Sequence, residues 1–135
     1  LWQLPYVAEN AEQIDEARKN DYIAPLTKKQ DSECSNFSAL DYAGTIDFTY
    51  PKATEWYKGL LKNLLDMGVT CIKTDFGENI HMDALYKGMK PELLNNLYAL
   101  LYQKAAYEIT KDVTGDGIVW ARSAWAGCQR YPLHW

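Results

Sequence analysis

Two long amphipathic segments, each followed by a short apolar run, most constrain how this 135-residue chain can fold. In the first segment, 51–67, apolar residues recur three and four positions apart, which predicts a helix with one buried face. These residues are Ala53, Trp56, Tyr57, Leu60, Leu61, Leu64 and Leu65. The second segment, about 91–112, repeats the pattern. The runs that follow, 69–74 and 118–122, are β-rich and typical of strands buried on both faces.

Residues at the ends of both helical segments support these bounds. Pro51 suits a first helical turn, and Thr49 just before it is expected near the N-cap. Gly68 suits the left-handed position after the first helix, and Gly115 and Gly117 are expected to end the second. Each helix is therefore followed within a few residues by a strand.

The order of elements predicts a parallel α/β sheet. From Leu1 it is strand (LWQLPYV), long loop, helix, strand, loop, helix, strand. A doubly wound sheet and a (β/α)8 barrel both fit, but no GxGxxG or GxxxxGK[ST] turn follows a strand. The segments after the strands (8–44, 76–90 and 123 onward) are long or polar, whereas the helix-to-strand turns are short. Since barrel enzymes build active sites from the loops after their strands, we expect part of a (β/α)8 TIM barrel, about three βα units.

The ends of the chain predict a fragment of a larger protein. The first residues already resemble the last part of a buried strand, without an initiating methionine, and the chain closes on YPLHW. A sheet of three units would leave edges unpaired. Residues 1–135 are therefore expected to be one piece of a catalytic barrel, with no second domain visible.

A cluster of charge follows the first apolar run, in GVTCIKTDFGENI. Alternate strand residues share a face, so Lys73 and Asp75 are expected to face the barrel mouth and Ile72 the helices. A lysine beside a carboxylate favours its ionised form, which suits a nucleophile or the stabiliser of a cation. The alternative is a structural ion pair, with Glu78 capping the next helix. Because Arg122 ends the neighbouring strand with another charge, a functional site is the favoured interpretation.

Composition argues against several other functions. The net charge is -4 and no lysine or arginine stripe is present, so nucleic acid is not expected as a partner. No run approaches the roughly 20 apolar residues of a membrane helix. The three cysteines, Cys34, Cys71 and Cys128, form no CxxC pair and are expected to be reduced thiols, which favours the cytoplasm; Cys71 is expected in the core.

A metal-dependent hydrolase is one alternative, with Asp75, Glu78, His81 and Asp83 as ligands. The chain has only two histidines and lacks an HxH or HExxH pattern. His81 is therefore expected to be a loop residue. We expect neither a metal nor a cofactor.

Four segments resemble glycoside hydrolase family 31, in that family's order and with compatible spacing. KTDFGE, at 73–78, resembles the nucleophile motif of its α-xylosidases. LWQLPY resembles a strand that ends in Trp-x-x-Pro-Tyr, and TIDFTYP, at 45–51, resembles an Asp-Phe-Thr-Asn-Pro stretch. ARSAWAGCQRYPLHW, at 121–135, resembles the following strand with its Arg-Ser-Ala segment and a closing His-Trp.

The resemblance implies a retaining α-glycosidase on a (β/α)8 barrel. Asp75 would be the nucleophile that forms a covalent glycosyl-enzyme intermediate. The acid/base of the family is an aspartate in a His-Trp-Gly-Gly-Asp-like segment, so it is expected beyond Trp135. Asp116 is not expected to fill that role, because it lies in a helix-to-strand turn at the stability face of a barrel.

The same resemblance assigns the remaining site residues. Lys73 and Arg122 would donate hydrogen bonds to the sugar in the −1 subsite. Trp135 would help to wall that subsite, Trp2 is expected to stack or to form another part of the wall, and Glu78 would have a supporting polar role.

Substrate choice follows from the Asp-Phe-Gly-Glu form of the motif, which favours α-xylosides. An α-galactosidase or an α-glucosidase of the same family is the alternative, and the loop with Trp125 and Cys128 departs from the α-xylosidase pattern. A catalytically silent carbohydrate-binding relative is an alternative of another class. The expected partner is a carbohydrate substrate, neither nucleic acid nor membrane, and a homo-oligomeric parent protein is compatible with the sequence.

Overall fold

The computed structural model of the protein describes residues 1–25 and 42–135. The strands are β1 (Trp2–Gln3), β2 (Tyr6–Ala8), β3 (Tyr42–Thr45), β4 (Ile72–Thr74) and β5 (Val119–Ala121). The helices are α1 (Ile14–Lys19), α2 (Pro51–Asp66) and α3 (Pro91–Thr114), and a short 3-10 helix spans Cys128–Arg130. Helices α2 and α3 pack on each other, and α3 also packs on β4 and β5.

The predicted parallel sheet is confirmed. Strands β1, β4 and β5 lie side by side in that order, and Trp2, Lys73 and Trp120 are in register across them. The last residues run beside β5 in the same direction, where Trp135 N donates to the Ala121 carbonyl at 3.3 Å. The carboxyl ends of neighbouring segments therefore meet at one edge of the sheet.

Both long helices agree with their predicted bounds to within two residues, and Gly68 and Gly115 adopt the expected left-handed conformation (φ 101° and 84°). Thr49 lies next to the N-cap of α2, as expected, but the N-cap residue is Tyr50 and no side chain caps the helix. Thr49 precedes the N-cap residue by one position, and its hydroxyl donates to the Asp47 carboxylate at 2.5 Å. No helix in the described part of the chain has the length and apolar character needed to cross a membrane.

The prediction of one buried strand in LWQLPYV is wrong. The chain leaves the parallel sheet at Pro5, whose nitrogen cannot donate to a strand partner, and Trp2 is 66% exposed. After the bend, β2 pairs antiparallel with β3 to form a separate two-stranded sheet. The segment 8–44, predicted to be a loop, also contains α1 and most of β3. Of the two strands in this segment, only β1 therefore belongs to the parallel sheet with β4 and β5.

Burial along β4 differs in part from the prediction that the apolar run before Lys73 is buried on both faces. Val69 and Cys71 are only half-buried, so Cys71 is not the core residue predicted. The four residues 72–75 are all buried, including Lys73 and Asp75. Strands β1 and β5 and helix α3 cover residues 72–75. The contact with β1 begins only at Cys71, where the Leu1 amino group donates to the Cys71 carbonyl, so the residues before it are less covered. The charged pair is therefore largely removed from water.

Three tyrosines of the core hold the bend between β1 and β2. Tyr102 and Tyr57 donate their hydroxyls to the backbone carbonyls of Gln3 and Leu4, at 2.8 and 3.3 Å. The Tyr98 hydroxyl is shared between the carbonyls of Ile46 at 2.8 Å and Pro5 at 3.2 Å. Burial raises the pKa of all three hydroxyls above their usual value near 10. The three groups therefore remain protonated donors, and α2 and α3 fix the path of the chain as it leaves the sheet.

Candidate active site

Lys73, Asp75 and Arg122 come together at the carboxyl edge of the sheet, as the sequence predicts. Pairing continues past the strand ends, because Asp75 N donates to the Gln3 carbonyl and Arg122 N to the Thr74 carbonyl, both at 3.0 Å. These bonds fix the backbone at both charged positions. The side chains then start from rigid elements rather than from loops.

Each oxygen of the Asp75 carboxylate faces a cation. Lys73 Nζ lies 3.1 Å from Oδ2, and Arg122 Nη1 lies 3.5 Å from Oδ1. Lys73 and Asp75 are 6% and 3% exposed, so water screens their attraction only weakly. The two cations hold the carboxylate from both sides and restrict its rotation. The arrangement suits an oriented anionic nucleophile.

Three aromatic rings, Trp2, Trp120 and Trp135, form a tryptophan cage around the Lys73 ammonium. Nζ lies 3.8, 6.0 and 4.7 Å from the respective ring centroids, which is within the range of cation–π attraction. The rings of Trp120 and Trp135 meet edge to face at 5.8 Å. All three residues are exposed, so the cage also presents ring surface to a ligand.

Trp120 was not among the predicted site residues. A sequence signal existed, because alternation in IVWAR places Trp120 on the same strand face as Arg122. The strand register then sets it directly beside Lys73.

Arg122 is held mainly by Glu78. Its Nε lies 2.7 Å from Glu78 Oε1, and its guanidinium carbon lies 4.3 Å from the centre of the Phe76 ring. The alternative that Glu78 caps the next helix is wrong, since α3 begins at Pro91 and its N-cap is Lys90. Phe76 has φ 58°, a left-handed conformation that is uncommon for a bulky residue and often found at functional sites.

Gly77 allows the tight turn between Asp75 and Glu78. Its φ is 92°, and a Cβ atom there would lie 3.0 Å from both the Ser123 hydroxyl and the Tyr102 ring. Neither the backbone angle nor the space suits a larger residue. The turn is therefore packed directly against the segment that carries Arg122.

A buried hydrogen-bond network lies behind the charged edge. Thr74 donates its hydroxyl to the Gln103 side chain, whose amide donates to the Ser123 carbonyl at 3.4 Å and hydroxyl at 3.3 Å. All three residues are almost fully buried. Gln103 thus ties α3 to the ends of β4 and β5. A polar residue within the buried stripe of α3 was the sequence signal that could have revealed it.

We expect Gln103→Leu to destabilise the full-length protein by about 2 kcal/mol, because it leaves buried polar groups of Thr74 and Ser123 without a partner. Urea unfolding monitored by circular dichroism measures this loss. Gln13→Leu is the matched control, since Gln13 is the N-cap residue of α1 and its side chain makes no cap bond. Equal stability of the two variants would contradict a tying role for Gln103.

Two tyrosines of the β2–β3 sheet, Tyr6 and Tyr42, were not predicted as residues near the site. Burial, and then the negative charge of Asp75, raise the pKa of the Tyr42 hydroxyl, which places Tyr42 within electrostatic reach of the carboxylate. Its ring centre lies 4.9 Å from that of Tyr6. The antiparallel pairing of β2 with β3 brings both tyrosines to the site.

The described residues contain no group of three or more histidine, cysteine or acidic side chains placed to hold a metal ion. Asp75 and Glu78 are instead connected through Arg122. Burial lowers the pKa of His81 below its usual 6.5. Asp116 lies in the α3–β5 turn, as expected, where its backbone bonds the Thr114 hydroxyl.

Two of the three cysteines fall within the described residues, and both are free thiols, as predicted. Cys128 is buried and accepts a hydrogen bond from Trp125 N at 3.2 Å, which orders the loop after Arg122. Cys34 lies outside the described residues.

Comparison with known proteins agrees with the resemblance that the motifs indicate. The profile of the glycosyl hydrolases family 31 TIM-barrel domain matches residues 1–135. An α-xylosidase of Emericella nidulans is 36% identical over 141 positions, which cover all of this chain and 18% of that protein. A sulfoquinovosidase of Escherichia coli is 30% identical, with 94% of this chain and 19% of that protein covered.

Solved structures show the same relationship. A family 31 sulfoquinovosidase from E. rectale, in complex with an aza-sugar inhibitor, superposes with a TM-score of 0.84 at 31% identity. The match covers 99% of this chain and 21% of that one. The chain thus spans about a fifth of the length of these relatives.

Proposed function

We propose a function from one premise: the chain belongs to glycosyl hydrolase family 31. The full-length protein is a retaining α-glycosidase that hydrolyses terminal α-linked sugars, with α-xylosides as preferred substrates. Residues 1–135 contribute one piece of its catalytic barrel. The observation that carries the proposal is the buried Asp75 carboxylate, with a cation at each oxygen, where parallel strands end.

The first chemical step is attack by an Asp75 oxygen on the anomeric carbon of the sugar. The glycosidic C–O bond breaks, its electron pair stays with the leaving oxygen, and that oxygen takes a proton from a second carboxyl group. In retaining enzymes the two carboxyl groups lie about 5–5.5 Å apart. The second carboxyl group, the acid/base, belongs to a part of the full-length protein outside these 135 residues.

The second step returns Asp75 to its ionised form. The second carboxylate removes a proton from water, the water oxygen bonds to the anomeric carbon, and the ester bond to Asp75 breaks. Both steps pass through a transition state with positive charge on the sugar. An anionic, desolvated Asp75 stabilises that charge.

The other site residues bind the sugar. Lys73 and Arg122 have donor groups beside Asp75 and are placed to bond sugar hydroxyls as well as the carboxylate. Trp2 and Trp135 offer exposed ring faces against which a sugar can pack. The proposed mechanism uses no metal and no cofactor.

Substrate preference rests on similarity to α-xylosidases and on the KTDFGE motif. A sulfoquinovosidase is the second candidate, because a relative and a solved structure of that name align with nearly the whole chain. α-Glucosides and α-galactosides are the remaining choices within the family. A catalytically silent carbohydrate-binding protein is the alternative of another class.

Hydrolysis of an aryl glycoside panel by the full-length protein tests the activity. We expect the highest kcat/KM for the α-xyloside, compared with the α-glucoside, the α-galactoside and the α-sulfoquinovoside. A higher value for the sulfoquinovoside would support the second candidate instead. No hydrolysis of any member, with binding retained in calorimetry, would support the silent relative.

Labelling by a fluorinated mechanism-based inhibitor tests the nucleophile. A 5-fluoro-α-glycosyl fluoride should trap the covalent intermediate, and peptide mass spectrometry should locate the sugar on Asp75. A label on any other carboxylate would overturn this assignment, even if hydrolysis is observed.

A further inference from the structure

We propose that Glu78 is a positioning residue that holds Arg122 in place while Asp75 loses its charge in the covalent intermediate. The inference rests on the proposed function and assigns Glu78 a specific task within it. Glu78 contacts Arg122 at 2.7 Å, and the task depends on that contact.

The need for such a residue follows from the chemistry of the first step. When an Asp75 oxygen bonds to the anomeric carbon, the carboxylate becomes a neutral ester. The cations at its two oxygens, Lys73 and Arg122, then lose an ionic partner at the same moment. Each must be kept in position by something else until water releases Asp75.

Lys73 has that support from its surroundings. It is buried, and the tryptophan cage surrounds its ammonium with rings whose attraction does not depend on the charge of Asp75. Among residues 1–25 and 42–135, Asp75 is its carboxylate partner within ion-pairing distance. Burial and the surrounding rings therefore keep the ammonium in place when Asp75 becomes neutral.

Arg122 is in a different situation. Its side chain is 38% exposed, so it could turn into solvent once Asp75 is neutral. The Phe76 ring covers one face of the guanidinium, but it cannot supply a counter-charge. Glu78 can, and its 2.7 Å contact is shorter than the 3.5 Å contact to Asp75. Arg122 therefore stays anchored to Glu78 throughout the cycle.

The balance of charge among Lys73, Asp75, Arg122 and Glu78 also indicates that the reaction needs the Glu78 carboxylate. In the free enzyme two cations, Lys73 and Arg122, balance the carboxylates of Asp75 and Glu78. Without the Glu78 charge the site would be positive before the substrate arrives and more so in the intermediate. Because the transition state carries positive charge on the sugar, the barrier to glycosylation would rise.

Glu78→Gln in the full-length protein tests the inference, with Glu78→Asp as the variant that keeps the charge. We expect Glu78→Gln to lower kcat by about 10- to 100-fold, the effect of losing one charge-assisted hydrogen bond, with little change in KM. The rate of labelling by the fluorinated inhibitor should fall by the same factor. Glu78→Asp should recover part of both rates. Glu92→Gln, the same change on the exposed first turn of α3, is the matched control.

The outcomes separate this inference from the proposed function. Wild-type labelling and kcat in Glu78→Gln, with an active parent enzyme, would overturn the role of Glu78 alone. A raised KM with unchanged kcat would also overturn it, because Glu78 would then act in substrate binding. A parent protein that neither hydrolyses α-glycosides nor labels at Asp75 would overturn the proposed function and this inference with it. Urea unfolding of each variant excludes loss of folding as the cause.

Discussion

Asp75→Asn is expected to lower the kcat of the full-length protein on α-glycosides by about ten-thousand-fold or more, since it removes the proposed nucleophile. Asparagine has the shape of aspartate, but its amide oxygen forms no stable ester with the anomeric carbon. Steady-state hydrolysis of an aryl α-xyloside measures the loss. The fluorinated inhibitor should leave the variant unlabelled, because no carboxylate remains at position 75.

Asp75→Asn is expected to lower the stability of the fold much less than it lowers the activity. The new amide oxygen can still accept a hydrogen bond from Lys73, and the tryptophan cage still surrounds the ammonium. Asp116→Asn is the matched control, because Asp116 lies exposed in the α3–β5 turn, where the hydrogen bonds involve its backbone. Turnover by Asp75→Asn comparable to that of this control would rule out Asp75 as the nucleophile.

Lys73→Met is expected to lower kcat/KM by about 100- to 1000-fold, because one preorganised cation beside the reacting carboxylate is lost. Methionine has nearly the length of lysine but no charge, so the Asp75 carboxylate keeps Arg122 at 3.5 Å and the Phe76 N–H at 3.2 Å but loses the closer cation. Removal of one partner from a buried ion pair also destabilises a protein by about 3–5 kcal/mol. Kinetics on the aryl α-xyloside and urea unfolding should therefore both change.

One further variant separates charge from shape at position 73, and a second, at position 62, is the matched control. Lys73→Arg keeps the positive charge but brings a planar guanidinium into a cage that fits a compact ammonium, so partial activity is expected. Lys62→Met removes a lysine from an exposed ion pair with Asp66 on α2, and such pairs contribute little to stability. Wild-type kcat/KM in Lys73→Met would contradict a role for the ammonium in the reaction.

Local periodicity was sufficient to predict the two long helices, α2 and α3, and the meeting of charges at one edge. The apolar stripe sets the bounds of α2 and α3, and strand alternation places Lys73 and Asp75 on one face. The contact between Arg122 and Asp75 follows from the order of neighbouring parallel strands. These features depend on residues a few positions apart, or on a common topology.

Long-range pairing accounts for what the sequence did not predict. Nothing local to Tyr42 shows that β3 returns to pair with β2 and brings this residue near Asp75. The depth of burial of Lys73 depends on rings from Trp2 and Trp135, which come from opposite ends of the chain. Glu78 pairs with Arg122 instead of capping a helix. This contact likewise depends on how the turn at Gly77 packs against Ser123, which is distant in sequence.

The three tyrosine hydroxyls that hold residues 3–5 have a consequence for protein engineering. Tyr57, Tyr98 and Tyr102 bond backbone carbonyls, so they do not recognise which side chains those residues carry. Gln3 and Leu4 can therefore be varied in a mutant library while these anchors stay in place. The tyrosines themselves should stay constant in such a library, since they set the direction in which the chain leaves the barrel.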